Sequence, residues 1–450
     1  MKQLTERRCY GHGSCAEALG ERPARTDLVS AEHHEPRRVR SWIDHHRWLV
    51  PLLAVTAAFH AVFVWRTSLV IDNHRTFVLF DDAMISMRYA RNLASGHGLV
   101  WNANGPRVEG ITNPAWTLWM AALHLLPLPD RLRSLPVMVS GSVLVLGTVV
   151  NGVRLTEVLV PNRRLASIMA AVALATFYPY AYWSLRGMEV GLLGFLSVTA
   201  VLLAVRDPAL DRAGTRRWLP VVLVVVVLTR LDAVVLAGLV VAGGLMMAPA
   251  GRRGAVLARL GGTVAVTLAA VTGFRLAYYG DPLPNTYYLK ATGVALGARV
   301  DRGRFFLQRI ALVNLGPYLV FALGALLAMV RHRDRRLLLI VAMVLSQGAY
   351  SVWAGGDAWE DIGFANRYLS TVAPLLMVAV AWDSPSGPRR GHEADSWGWP
   401  VCRSSAACSS SCWSTPVTQT QTLSSAGPLQ RQASPASGTG ATHWDSPPPC

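Results

Sequence analysis

Long apolar runs, separated by short links in which arginine collects, constrain this chain more than any other feature. The hydrocarbon core of a bilayer is about 30 Å thick, and roughly 20 apolar residues of helix cross it. Within it each backbone N–H and C=O must be paired inside the segment, so a crossing run is a helix. Apolar stretches at 48–69, 135–153, 165–182, 190–205, 218–228, 233–247, 255–276, 311–330, 337–353 and 368–382 are read as ten spans. The links at 154–164, 206–217, 251–259 and 331–336 carry the arginine clusters. With ten spans these clusters all fall on one side, which the positive-inside rule makes the cytoplasm. Residues 114–126 are apolar but number only 13. A span there would send the later clusters outside, so this segment is read as re-entrant or interfacial.

Composition agrees. The chain of 450 residues is 52% hydrophobic and 16% charged, too little charge to cover a soluble protein of that length. Its net charge of +16 lies largely in the short links, so it is no nucleic-acid signal. The six cysteines fall outside the spans and imply neither a disulfide framework nor a zinc spacing. Residues 1–47 form a polar tail with no apolar run near Met1, so the first span is read as a signal anchor with a cytoplasmic N-terminus. Residues 383–450 are rich in Ser, Pro, Thr and Gly, as in a disordered tail or a shifted reading frame. The expected fold class is therefore an all-α polytopic membrane protein with its core over 48–382.

In this topology the unusual polar groups gather on the outer face. They are Asp81, Asp82, Arg88, Glu109 and Asn113 in the first external segment, then Arg186 and Glu189 in SLRGMEVG, and Arg230 and Asp232 in TRLDA. Asp281, Asn285, Tyr288 and Lys290 follow in YYGDPLPNTYYLK, and Asp357 and Arg367 in AGGDAWEDIGFANRY. Ionisable groups at membrane depth are costly and generally functional. Separate loops supplying Asp, Glu, Arg, Asn and Tyr to one face point to one composite site.

Each group also has a plainer explanation. An Asp suits the first turn of a helix, and one is enough. The second carboxylate leaves room for a general base. On a helical wheel Asp81, Arg88, Asn92 and Ser95 share one stripe and Ile85, Tyr89 and Leu93 another, read as a helix lying flat at the interface. Asp81 shares the stripe of Arg88 and is the first choice of base, with Asp82 the second. Arg88, Arg186, Arg230, Lys290 and Arg367 fit either snorkelling anchors or a cationic cradle for a lipid phosphate. Tyr278, Tyr279, Tyr287 and Tyr288 fit either an interfacial belt or a platform for sugar rings. Gly355 and Gly356 allow a tight turn. Asp357, Glu360 and Asp361 are candidate ligands for a divalent cation, although their spacing is not that of an EF-hand.

The stretches FDDAMISMRYARNLASGHGLVWN, RVEGITNPAW, RGMEVGLLG, YYGDPLPNTYYLK and GGDAWEDIGFANRY resemble the GT-C glycosyltransferases. They are similar in particular to the actinobacterial terminal arabinofuranosyltransferase group. The resemblance implies a GT-C membrane core with an amphipathic juxtamembrane helix, and a catalytic Asp, Asp81 or Asp82, in the first external loop. It implies a polyprenyl-phosphate sugar donor and a cell-envelope glycan acceptor at the outer face of the plasma membrane, with no nucleic acid and no cofactor beyond that cation. Phosphate contacts would fall to Arg88, Arg186, Arg230, Lys290 and Arg367. Substrate contacts would fall to Glu109, Asn113, Glu189, Asp281, Asn285, Tyr288 and Asp357. The chemistry is a single displacement with inversion: an Asp deprotonates the acceptor hydroxyl, and the cationic groups stabilise the departing phosphate. The rivals are a transporter or flippase for lipid-linked glycans, and a non-catalytic scaffold. A transporter is expected to show repeated halves and midplane charges; here the charges sit at one face and no internal repeat is visible.

Overall fold

A computed structural model of the chain describes residue 42 and residues 44–285, 288, 295–314, 316, 327, 334–357 and 365–382. Helix α1 (Leu49–Arg66) leads into a hairpin of β1 (Leu69–Ile71) and β2 (His74–Thr76), paired antiparallel. Its turn residues Asp72 and Asn73 both have positive φ, which short polar side chains tolerate and which matches the strand twist. Next come α2 (Asp81–Ala94) and α3 (Pro114–His124), packed on each other. Then follow α4 (Leu135–Leu159), α5 (Arg164–Thr176), α6 (Tyr178–Leu185), α7 (Val190–Arg206), α8 (Ala213–Thr229) and α9 (Val234–Met247). Helix α10 (Gly262–Tyr279) continues out of a π turn at Leu257–Gly261. Helices α11 (Leu296–Val313), α12 (Arg335–Ala354), α13 (Arg367–Ser370) and α14 (Ala373–Trp382) complete the described chain.

Among the described residues, four helical stretches are long and apolar enough to cross a membrane: Leu49–Arg66, Asp130–Leu159, Ala250–Tyr279 and Arg335–Ala354. The pair α5 and α6 makes a fifth if counted as one broken span, bent by 48°. Pro179 sits in the first turn of α6, where its missing N–H and ring prevent α5 from running on. Helices Val190–Arg206 and Leu231–Met247 are apolar but shorter. The apolar run at 311–330 lies largely outside the described residues; the other nine fall on helices. With 11 residues, α3 is about 16 Å long, well short of the hydrocarbon core. Large apolar side chains such as Val55, Val266 and Leu345 are two-thirds exposed, as expected of lipid-facing surface.

Helix α4 is the centre of the packing and touches α5, α6, α7 and α14. Small residues let these backbones approach. A Cβ on Gly141 would lie 2.0 Å from the carbonyl oxygen of Ser184 in α6. Gly141→Ala should therefore lower stability by about 1–3 kcal/mol through overpacking. The check is thermal unfolding in detergent, where an unchanged midpoint would show that the contact yields freely.

Two sequence expectations need correction here. Residues 278–309, which lie between the spans read at 255–276 and 311–330 and so are expected to form an external loop, are not wholly a loop, because α11 begins at Leu296 and packs on α12. Its contact is intimate: a Cβ on Gly303 would meet the Val352 carbonyl at 2.3 Å. Helix α2 also does not expose the whole stripe drawn for it. Asn92 is buried and donates to the carbonyls of Val100 (2.7 Å) and Trp101 (3.0 Å). That amide closes the loop after α2, where Gly96 takes the left-handed conformation that ends the helix.

Candidate active site

The first turn of α2 opens onto a cavity of about 490 Å³. Acidic residues belong there, because the helix N-terminus carries partial positive charge. The two carboxylates diverge. Asp81 is exposed and accepts the backbone N–H of Asp82 at 2.7 Å. Asp82 faces the cavity and pairs with the guanidinium of Arg367. Ile85 and Ser86, three and four residues on, lie on the same helix face and line the same wall.

The opposite walls come from distant loops. Asn113 immediately precedes α3; its side-chain oxygen accepts from Ser86 (2.9 Å) and Thr117 (3.0 Å), and its amide donates to Glu189 at 2.9 Å. Glu189 immediately precedes α7 and is almost fully buried. Its other oxygen accepts from Arg230 at 2.8 Å. Arg230 stands in the extended link between α8 and α9, and its fork grips Asp232 at 3.0 and 2.8 Å. Arg367 opens α13. Besides Asp82 it meets Asp357 at 3.2 Å, and its backbone N–H donates to the same carboxylate at 3.0 Å. Burial works against the charge on Arg367, but Asp357, Tyr368 and Asp82 outweigh it and hold the guanidinium protonated. Each of these two arginines thus serves two carboxylates. Tyr350, Trp353 and Tyr368 form an aromatic wall of the cavity, and Arg299 from α11 lies over the Trp353 ring at 4.8 Å. Gly355 and Gly356, both with positive φ, turn the chain from α12 toward Asp357.

Asp82, Asn113, Glu189, Arg230, Asp357 and Arg367 are therefore brought together. Other candidates stand elsewhere. Arg88 stacks on Trp101 and donates to its carbonyl (2.8 Å) and to Asn102 (2.7 Å). Arg186 donates to the Val78 carbonyl at 3.1 Å, while its own carbonyl takes the N–H of Phe80. These two arginines hold backbone near Asp81 and Asp82, and of the four arginines expected in a cradle the cavity is lined by Arg230 and Arg367. Glu109 is buried in a bidentate pair with Arg275 of α10, at 2.7 and 2.9 Å. Burial pushes the Glu109 carboxyl above the usual carboxylate range, against the pull of Arg275. Asp281, Asn285 and Tyr288 are exposed, although Leu283 and Pro284 between them reach the cavity. Tyr278 and Tyr279 bond to the backbone of Leu99, each at 3.1 Å, and so hold a loop. Lys290, Tyr287, Glu360 and Asp361 lie outside the described residues. Among the described residues no three His, Cys, Asp or Glu side chains gather as metal ligands.

Sequence reasoning missed Ser86, Arg275, Arg299, Tyr350 and Trp353. Arg275 carried a signal, since it is an ionisable residue inside an apolar run. The aromatic residues carried none, because tyrosine and tryptophan near span ends are ordinary.

No family model matches the chain. Over 355 residues it is 27% identical to the terminal β-(1→2)-arabinofuranosyltransferase of Mycobacterium tuberculosis, covering 70% of this chain and 54% of that protein. The chain spans about half the length of this curated relative. Among solved structures, ArnT from Cupriavidus metallidurans in the apo state matches with a TM-score of 0.53 and 16% identity, over 76% of this chain and 61% of that one. The archaeal oligosaccharyltransferase AglB from Archaeoglobus fulgidus, solved with an inhibitory peptide and a dolichol-phosphate, gives 0.52 and 11%, over 76% and 50%. At such identities the structural likeness is one of fold. This chain shares the helical fold of these two solved proteins, and its sequence is similar to that of an arabinofuranosyltransferase.

Proposed function

We propose that this chain is the membrane core of an inverting glycosyltransferase that moves a sugar from a polyprenyl-phosphate donor to a cell-envelope glycan. The observation that carries this reading is the Asp82 carboxylate, set at the mouth of a helix and facing a large cavity beside Arg367 and Arg230. Asp82 takes the proton of the acceptor hydroxyl, which then attacks the anomeric carbon. The polyprenyl phosphate leaves toward the arginines, which stabilise its charge. Asp82 is preferred to Asp81 as the base because Asp82 lines the cavity, whereas Asp81 is exposed, is not part of that lining and holds the backbone of its neighbour. Ser86, Asn113 and Glu189 supply hydroxyl, amide and carboxylate groups that suit a sugar. Arabinofuranose is the first candidate, by similarity to the mycobacterial relative. The test is transfer in membranes supplied with labelled polyprenyl-phosphate sugars, arabinose and mannose among them. Label passing from the lipid to a glycan supports the proposal, and no transfer from any donor overturns it.

The same proposal sets ten spans in the plasma membrane, with α2 flat at the outer surface and the cavity opening outside. Ala103, Ala295 and Arg212 are all exposed in the fold. In a variant stripped of its native cysteines, a membrane-impermeant thiol reagent added outside should label cysteine at 103 and 295 but not at 212. External labelling at 212 would invert the topology.

A further inference from the structure

Arg367 holds two carboxylates that differ in how firmly they are fixed. Asp357 is fully buried, forms an ion pair with the guanidinium at 3.2 Å, and accepts the backbone N–H of Arg367 at 3.0 Å. It has no room to leave. Asp82 is about one-third exposed, borders the cavity, and stands in the first turn of α2. There the positive end of the helix supports its charge with or without Arg367. Asp82 is thus the exchangeable partner and Asp357 the permanent one.

The pairing has a consequence for catalysis. A carboxylate oxygen that accepts from a guanidinium is closed to an acceptor hydroxyl. A phosphate entering the cavity brings several strong acceptor oxygens, and the planar fork of an arginine suits them. Arg230 is less open to it, since Glu189 and Asp232 take its fork and Glu189 is nearly fully buried. Two anions on the cavity side of one buried guanidinium repel each other, so the phosphate and Asp82 exclude one another there.

We infer that the donor's phosphate competes with Asp82 for Arg367, so that the base is released only when the lipid donor is in place. This inference rests on the glycosyl transfer proposed above. In the step that follows, freed Asp82 accepts the proton of the acceptor hydroxyl. The acceptor oxygen bonds to the anomeric carbon as the bond from that carbon to the phosphate oxygen breaks. The electron pair leaves with the phosphate, which Arg367 already holds. The coupling makes binding ordered and keeps the base from activating water while no donor is bound.

Competition makes an unusual demand: removing a residue of the catalytic machinery must tighten a ligand. The probe is a long-chain polyprenyl phosphate carrying no sugar, measured for binding to the whole chain in nanodiscs, with the matching polyprenol as the neutral control. Asp82→Asn should bind the phosphate about fivefold or more tightly than wild type, equivalent to about 1 kcal/mol. Asp82→Ser, which removes the charge with a smaller side chain, should move the same way. Arg367→Gln should weaken binding, and adding Asp82→Asn to it should then change the dissociation constant less than about twofold. Unchanged or weaker binding in both Asp82 variants overturns the competition. Equal tightening with and without Arg367 also overturns it, since that is the effect of removing a negative charge alone. If wild type binds the phosphate no better than the polyprenol, the donor assignment itself fails, an outcome distinct from the other two.

Discussion

Asp82→Asn will lower sugar transfer by about 100-fold or more, the scale of losing a general base, while protein abundance stays near wild type. The amide keeps the shape of the carboxylate and its place in the first turn of α2, so the fold has no reason to change. What goes is the ability to accept a proton at the cavity wall. Asp81→Asn should cost far less, because the Asp81 side chain is exposed and its contact is with the Asp82 backbone. An amide oxygen replaces that acceptor without difficulty. Transfer rates and solubilised yields of the two variants, compared side by side, decide the matter. Full activity in Asp82→Asn would place the base elsewhere, and a larger loss in Asp81→Asn would reverse the assignment. Combined with tighter phosphate binding in the same variant, the expected pattern is an enzyme that grips its donor and does not turn it over.

The second large effect is structural. Arg275→Ala should destabilise the fold by about 3–5 kcal/mol, the range for stranding one charge of a buried pair. Arg275 is 1% exposed and Glu109 8%, so water reaches neither well. Glu109→Ala should do comparable harm by leaving the guanidinium alone on α10. The loss will not stop at stability. The Glu109 carbonyl takes the N–H of Asn285 at 3.2 Å, and the next four residues, Gly110 to Asn113, all line the cavity. Thermal unfolding in detergent measures the first effect. Replacing both partners together, as Glu109→Gln with Arg275→Met, should recover part of it, since no unpaired charge then remains. Double-variant stability no better than the worse single variant would show that packing, not charge, dominates.

The helical framework was largely legible in the sequence, because a bilayer imposes a simple rule of length and apolarity. The runs at 135–153 and 190–205 read directly as the helices observed there. So did the turn between α8 and α9, which Arg230 and Asp232 mark in otherwise apolar surroundings. Helix α11 was not legible, since its four arginines and modest apolar face look like a loop when only crossing segments are sought. The site was legible in kind and less so in detail. Arg230 stood out between two apolar runs with Asp232 as a ready partner, whereas Arg367 fitted a snorkelling anchor as well as a phosphate contact. Arg88 and Arg186 looked the same on paper, and only three-dimensional placement shows them bracing backbone carbonyls. The choice between Asp81 and Asp82 turned on one step of about 100° about the axis of α2. The wheel used Arg88 as its guide to the functional face, and that arginine faces away. Ser86, in register with Asp82, was the better guide.

The chain of contacts from Asn113 through Glu189 and Arg230 to Asp232 bears on how such a protein can be re-engineered. Loops on a membrane scaffold invite exchange one at a time to alter which sugar is accepted. Here the segments before α3, before α7 and between α8 and α9 share one charge account. A graft that swaps the Glu189 loop alone strands Arg230 with a single carboxylate and leaves the amide of Asn113 without its acceptor. Altered specificity is therefore to be sought by moving these three segments as a set, or by changing Trp353 on the aromatic wall, since its neighbour Tyr350 is itself hydrogen-bonded to Asp232.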